Sequence, residues 1–262
     1  MHVTVLPRKP AGRGFKIDTT ACSASNILLD AELDEGKEAM KTAEYRDITS
    51  AHTAVTLRLT KAYAQTDRVV IGDSRFGSCN TAEYLADIHG LDYILAVKTA
   101  TAGYPKKRMR EALGDKRGNR ASFKVEVTLD KGTTPFFACG VLDKKPMYVV
   151  ASCGTSIPTE VAQRKTRDAA GRTKTVEVPF PEMNALYRRY FNAVDLFNRS
   201  CFGVRSVNGA IKTKSWYRRL FLSFIGICET NAMNAYSYSV GHVERYEWLS
   251  KLSDALLNNP WA

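Results

Sequence analysis

The chain is short of the residues that staple or metal-bind a small protein. Its 262 residues include six cysteines and four histidines. Cys22, Cys79, Cys139, Cys153, Cys201 and Cys228 show no CxxC pair and no metal-ligand spacing, so they read as free thiols of a reducing compartment. His2, His52, His89 and His242 are scattered and give Cys22 no pairing signal for nucleophilic catalysis. Long hydrophobic runs are also missing. The most apolar stretch, residues 220–228, is far below the roughly 20 residues that span a bilayer, so no membrane role is expected. No secretory signal, internal repeat or low-complexity tract is visible. Acidic charge is the last scarcity. With 27 Asp+Glu against 38 Lys+Arg the formal charge is +11, which points to a polyanionic partner such as nucleic acid.

What remains is the composition of a globular chain, 44% hydrophobic and 25% charged, long enough for one large or two small domains. Its organising stretch is RVVIGDSRFGS, residues 68–78. Val69, Val70 and Ile71 predict a strand buried on both faces. Gly72 and Asp73 follow, and from Cys79 the spacing of Tyr84, Leu85 and Ile88 predicts a helix ended by Gly90. A carboxylate just past a strand's C-terminal end faces the crevice where α/β folds bind ligands, although an Asp there also caps turns. Residues 93–97 predict a second buried strand.

Around this unit, residues 15–21 and 27–33 read as an antiparallel hairpin followed by an acidic stretch, and residues 50–65 read as a helix. After Lys98 a basic segment carries Lys106, Lys107, Arg108, Arg110, Lys116, Arg117 and Arg120. Strand-like runs at 123–129, 136–142 and 147–152 suggest a β-meander forming an inserted subdomain. Residues 153–178 lack clear periodicity and read as a mobile basic loop. A single helix with Met183, Leu186, Tyr187, Tyr190, Val194 and Phe197 on its apolar stripe would place Asp195 at the stripe's edge. Arg205, Lys212, Lys214, Arg218 and Arg219 form a second basic stretch, and Trp216 within it reads as helix packing or as a base-stacking ring. A long, largely buried helix over 215–240 and a short amphipathic one over 247–257 close the chain.

Five stretches in this order resemble the catalytic core of PiggyBac-type transposases: PRKPAGRGFK, IGDSRFGSCNTAEYL, YILAVKTATAGYP, NAVDLFNRS and KSWYRRLF…NAMNAY, together covering about residues 7–240. The resemblance implies an α/β fold, an RNase H-like mixed sheet with flanking helices and an inserted small β subdomain. Its expected parts are residues 14–102 and 181–240 of the core, the basic insertion at 103–180 and a tail at 241–262. It further implies three carboxylates holding two Mg²⁺ ions for in-line phosphoryl displacement on DNA. Asp73 and Asp195 would be the second and third. Lys98, Lys106, Lys107, Arg108, Lys212, Lys214 and Arg218 are the candidate DNA contacts. A homodimer, and a location in the nucleus or another intracellular reducing compartment, are expected as well.

The departures fall on the site. Where the family has its first aspartate this chain has Cys22, a soft thiol that is mostly protonated near neutral pH. Asp18 and Asp30 lie nearby in sequence as substitutes of unfavourable placement. The further aspartate three residues past the third reads Asn198, and the Gly pair before the third reads Asn192–Ala193. No Cys/His-rich C-terminal module is visible, and little chain precedes residue 13. The expectation is a catalytically impaired transposase-derived core that retains DNA affinity. The alternatives are an active Mg²⁺-dependent strand-transfer enzyme and a domesticated interaction scaffold.

Overall fold

The computed structural model describes residues 4–5, 13–98, 100–113, 122–127, 136–142, 146–167, 171–203 and 206–260. The lead-in at 7–12, Lys116, Arg117, Arg120, the turns at 129–135 and 143–145, and Arg205 lie outside the described residues. In chain order the elements are β1 (Thr4–Val5), β2 (Arg13–Gly14), β3 (Ile17–Ala21), β4 (Leu28–Leu33), α1 (Ala51–Thr60), β5 (Val69–Gly72), α2 (Cys79–Asp87), β6 (Asp92–Val97), α3 (Lys106–Leu113), β7 (Ser122–Val127), β8 (Phe136–Leu142), β9 (Pro146–Ala151), β10 (Pro158–Arg167), β11 (Thr173–Pro181), α4 (Glu182–Tyr190), α5 (Ala193–Cys201), α6 (Val207–Ala210), α7 (Trp216–Ser239) and α8 (Arg245–Leu257). They form two compact units, Lys37–Phe191 and Met1–Gly36 with Asn192–Ala262, each described by itself.

The larger unit is built on one five-stranded mixed sheet of order β5-β6-β9-β8-β7. Strands β5 and β6 run parallel because α2 crosses between them, pairing Val69 with Asp92 and Gly72 with Leu95. The period-2 rule puts alternate β6 side chains on opposite faces. Tyr93, Leu95 and Val97 join Leu57, Leu85, Met109 and Leu113 under α1, α2 and α3. Ile94 and Ala96 join Val149, Val178, Phe180 and Met183 under β11 and α4. Strand β6 is thus buried on both faces, as its apolar run predicts. Strand β5 is not. It is the sheet edge, and Val69 is 43% exposed.

Three other expectations are corrected. The β-meander is no separate inserted subdomain: β9 pairs antiparallel with β6 through Ile94↔Ala151, so β7, β8 and β9 continue the core sheet. The basic run before them folds as α3, whose Met109 and Leu113 lie four residues apart and pin it to the core. Where a mobile loop is expected, β10 and β11 pair as two long antiparallel strands. Val178 and Phe180 bury, Arg188 and Arg164 sit over the Phe180 ring at 4.2 and 5.8 Å, and Glu160 pairs with Arg189. Finally, the helix expected through Phe197 breaks at Phe191–Asn192, where Asn192 takes φ −96° and ψ 5°, so α4 and α5 do not share one helical wheel.

In the smaller unit β3 and β4 form the expected antiparallel hairpin, Ile17 opposite Leu33, with a bulge between Thr20 and Ala21. Phe197 and Cys201 of α5 pack with Leu28, Ala31 and Ile227. Asn231 of α7 clamps β4 by accepting from the Leu28 N–H at 2.8 Å and donating to the Leu28 carbonyl at 2.9 Å. Helix α7 is 24 residues long but buries only Leu222, Gly226, Glu229, Thr230 and Met233, so the expectation of a largely buried helix fails. Helix α8 docks through Arg245 and Trp248, both hydrogen-bonded to the buried Glu229 carboxylate. No helix among the described residues is long and apolar enough to cross a membrane.

His89 gives this fold a pH dependence. It is buried behind Tyr45 and Thr60, with Thr60 Oγ1 3.2 Å from Nδ1. Burial, reinforced by the Lys61 charge and opposed by Glu44, holds its imidazole below the usual 6.5. The depressed value means a contribution to stability that is complete above about pH 6.5 and is lost as pH falls through the folded value. Denaturant unfolding should show stability falling below about pH 6.5, and His89→Gln should flatten that slope. A slope unchanged in the variant would assign it to other groups.

Candidate functional site

Asp73 follows directly on the C-terminal end of β5. The loop that carries it is fixed by close approach and by hydroxyls. Its carbonyl accepts from the Phe76 N–H at 3.1 Å and the Gly77 N–H at 2.8 Å. A Cβ on Gly77 would lie 1.9 Å from the Ala96 carbonyl oxygen, so only glycine lets the loop lie against β6. Ser78 caps α2 by accepting from the Thr81 N–H at 2.9 Å, and the Thr81 hydroxyl donates to the Phe76 carbonyl and meets Thr53 Oγ1, each at 2.9 Å.

The Asp73 carboxylate is exposed. Oδ1 accepts from the Arg75 N–H at 2.8 Å, an Asx turn, whereas Oδ2 has no hydrogen bond or ion pair among the described residues. Turn-capping and an outward-facing oxygen are therefore both present in one side chain. Its charge is felt by Tyr187 of α4: burial first, and Asp73 second, push that phenol up to about 12. Lys98 lies exposed one residue past β6, at the same end of the parallel pair as Asp73, the end where open α/β sheets bind ligands.

Cys22 directly follows β3 in the smaller unit and heads a tight turn. Its N–H donates to the Ile27 carbonyl and its carbonyl accepts from the Asn26 N–H, both at 2.8 Å. The thiol is half-buried. Asp18 does not offer itself as a replacement. It is buried and ion-paired at 2.8 Å to Lys16, which also binds Asp34 at 2.8 Å. Asp30 is exposed on β4 and accepts from the Ala31 N–H at 2.7 Å.

Asp195 occupies the first turn of α5, exposed, away from the buried Ala193, Phe197 and Cys201 stripe instead of at its edge. Negative charge is favourable there against the helix dipole. Asn198, one turn on, is half-buried.

The donor chemistry decides what could hold Mg²⁺. The ion needs hard oxygen ligands in a near-octahedral shell. Taken each by itself, Asp73 of the larger unit and Asp195 of the smaller carry such oxygens, Asn198 carries an uncharged one, and Cys22 a soft sulfur. Among the described residues no group of three His, Cys, Asp or Glu within either unit could hold a metal ion.

The cationic candidates divide between the units. Lys107 and Arg108 project from α3, Lys106 is half-buried at its start, and Met109 is buried beneath them. In the smaller unit Lys212, Lys214 and Arg218 are exposed, and Lys212 and Arg218 line a cleft of about 310 Å³ with Ile211, Thr213, Phe221 and Leu222. Trp216 stands among them 53% exposed, edge-on to Phe15 at 6.1 Å and Tyr217 at 5.7 Å, so simple helix packing does not account for it. Composition could not distinguish this exposed apolar face from a core stripe, because both repeat at helical spacing.

A mixed sheet covered by helices, with an Asp just past the end of its edge strand, is consistent with an RNase H-like core. A cryo-EM structure of a piggyBac transposase synaptic complex with hairpin DNA has the same fold, at TM-score 0.68 and 18% identity, with 99% of this chain and 51% of that chain covered. The chain thus spans about half the length of that protein. No curated protein matches the chain in sequence. Residues 2–233 match the family described as Transposase IS4. The chain belongs to that transposase family, and its fold is of the piggyBac type.

The two roles of Asp73 separate by substitution. Asp73→Asn keeps the Asx-turn acceptor and should leave stability within about 0.5 kcal/mol, whereas Asp73→Ala should cost about 1 kcal/mol in denaturant unfolding. Equal losses would show that the turn does not depend on Oδ1.

Proposed function

We propose that the chain is a transposase-derived core that binds DNA through its basic surfaces and does not assemble a working two-metal site. The observation that carries the second half is the side-chain chemistry after β3: a Cys22 thiol at the strand end, with Asp18 held by Lys16. A soft thiol does not supply the hard oxygen that Mg²⁺ would require at this position. The resemblance assigns the metal-facing roles to Asp73 and Asp195, which on this reading remain as vestiges of that set. Should Mg²⁺ bind at all, it would act on phosphoryl oxygens as a Lewis acid.

The first half rests on charge and on exposed rings. Net +11, the cationic face of α3, and Lys212, Lys214 and Arg218 beside Trp216 and Phe221 combine phosphate neutralisation with stacking platforms. The piggyBac protein of similar fold was captured with hairpin DNA in a synaptic complex, which supports the same ligand class here. Pairing of two copies, and action in the nucleus, belong to the same reading.

Two measurements test it. Anisotropy with a labelled duplex should show affinity falling steeply as salt rises from low to physiological, and replacing Lys212, Lys214 and Arg218 together by Ala should reduce the slope of log K against log salt by about 2–3. Affinity flat over that range would remove the phosphate-binding role. Calorimetric titration should show no two-site Mg²⁺ uptake; uptake that Asp73→Ala abolishes would sink the claim of impairment.

A further inference from the structure

The smaller unit holds a cleft of about 520 Å³, separate in its lining from the Lys212–Arg218 surface. One wall is the turn after Cys22, another is α5, and the rest is the C-terminal part of α7 with the segment that follows it. On α5 the lining residues Leu196, Arg199 and Ser200 fall at i, i+3 and i+4, so they share a face, and that face is not the one carrying Phe197 and Cys201 into the core.

The chemistry of the lining is selective. Arg199 has no hydrogen bond or ion pair among the described residues, although Asp195 lies one turn before it on the same helix. Ser200 and Ser237 also have no side-chain partner there. The carboxylate nearest in sequence to the lining residues His242 and Val243, Glu244, is engaged by His242 at 3.1 Å. The Asn234 amide is committed too, donating to the Asn26 carbonyl at 2.7 Å, which anchors the turn that presents Ser25. The result is a planar cation and several hydroxyls around one hollow, with no anionic side chain paired to Arg199 among the described residues. Arg is suited to phosphate oxygens because its fork donates two parallel hydrogen bonds. Tyr238 lines the same cleft with 68% of its surface exposed, a flat ring available to a flat partner.

We infer that this cleft binds a nucleoside phosphate, with Arg199 and the Ser200 and Ser237 hydroxyls on the phosphate and the Tyr238 ring against the base. The ligand chemistry has two sources, a nucleotide within a DNA strand or a free mononucleotide. The strand source rests on the DNA-binding function proposed above; the mononucleotide source does not. A phosphate contact with one stacked ring, within a hollow of this size, suits one nucleotide and leaves a duplex outside.

The experiment uses the full chain and two probes, a fluorescent single-stranded oligothymidylate and thymidine monophosphate. Each is titrated against the unmodified protein, Arg199→Ala, Arg199→Lys and Tyr238→Ala. Arg199→Ala should weaken binding of the probe that occupies the cleft about tenfold, with Arg199→Lys in between, and Tyr238→Ala should weaken it about fivefold, in line with the loss of one charge-assisted contact or one stack. Loss on the oligonucleotide alone assigns the cleft to a strand; loss on both probes assigns it to the nucleotide itself. Binding of both probes unchanged by all three substitutions, or no binding of either probe, overturns the inference. Far-ultraviolet circular dichroism of each variant checks the fold, and Arg199→Lys preserves the charge if Arg199→Ala disturbs it. The arms also separate from the DNA reading: the Lys212, Lys214 and Arg218 variant should lower duplex affinity while leaving mononucleotide binding intact.

Discussion

Strand β6 is enclosed by two cores at once, and the larger unit is arranged around that enclosure. Its odd-numbered side chains, from Tyr93 to Val97, meet the helices on one side, and Ile94 and Ala96 meet the β11–α4 layer on the other. A strand with no solvent face tolerates no slip, since a shift by one residue would exchange the two sets. Its neighbours inherit that registry. Strand β5 is paired to it in parallel, the loop from Asp73 to Ser78 rests on it where Gly77 meets Ala96, and Asp73 is delivered to the sheet's C-terminal end. The position of the carboxylate is therefore a packing consequence, set before any metal or DNA is considered.

The smaller unit supports the opposite lesson. There the hairpin, the clamp by Asn231 and the packing of Phe197 keep β3 and α5 together, yet the side chain at the end of β3 is a thiol. The turn that Cys22 heads is held by backbone bonds, from the Cys22 N–H to the Ile27 carbonyl and from the Asn26 N–H to the Cys22 carbonyl. On the function proposed above, a thiol in place of a hard oxygen ligand at this strand end leaves the architecture in place.

Much of this was legible from residue pattern. The β3–β4 hairpin, α1, α2 and β6 follow from alternation, from 3.6-residue spacing and from punctuation by Gly90. The failures have physical causes. Val69 to Ile71 read as a buried strand because β-branched runs look alike at an edge and in a centre, and only pairing separates them. The β10–β11 pair was hidden by its charge, since Arg164, Lys165 and Lys174 obscure the alternation that ends in Val178 and Phe180. The break at Asn192 has no proline or glycine to announce it, so Asp195 was placed on a wheel that does not exist. Motif spacing singled out Asp73, Asp195 and Cys22 as candidates and left turn-capping open for Asp73; the Arg75 N–H bond to Asp73 and the pairing of Lys16 with Asp18 needed coordinates. Arg199 lies within the NAVDLFNRS stretch, but that resemblance gives it no role; its place in the cleft and its lack of a partner among the described residues are visible only in the structure.

On the function proposed above, the side chain at Cys22, more than any failure of the fold, separates this chain from a working strand-transfer enzyme. Nicking of supercoiled plasmid in Mg²⁺ or Mn²⁺ measures that directly, with the unmodified chain and Asp73→Ala compared side by side. Both are expected to leave the plasmid intact to the level of the protein-free control. Nicking by the unmodified chain that Asp73→Ala abolishes would contradict it.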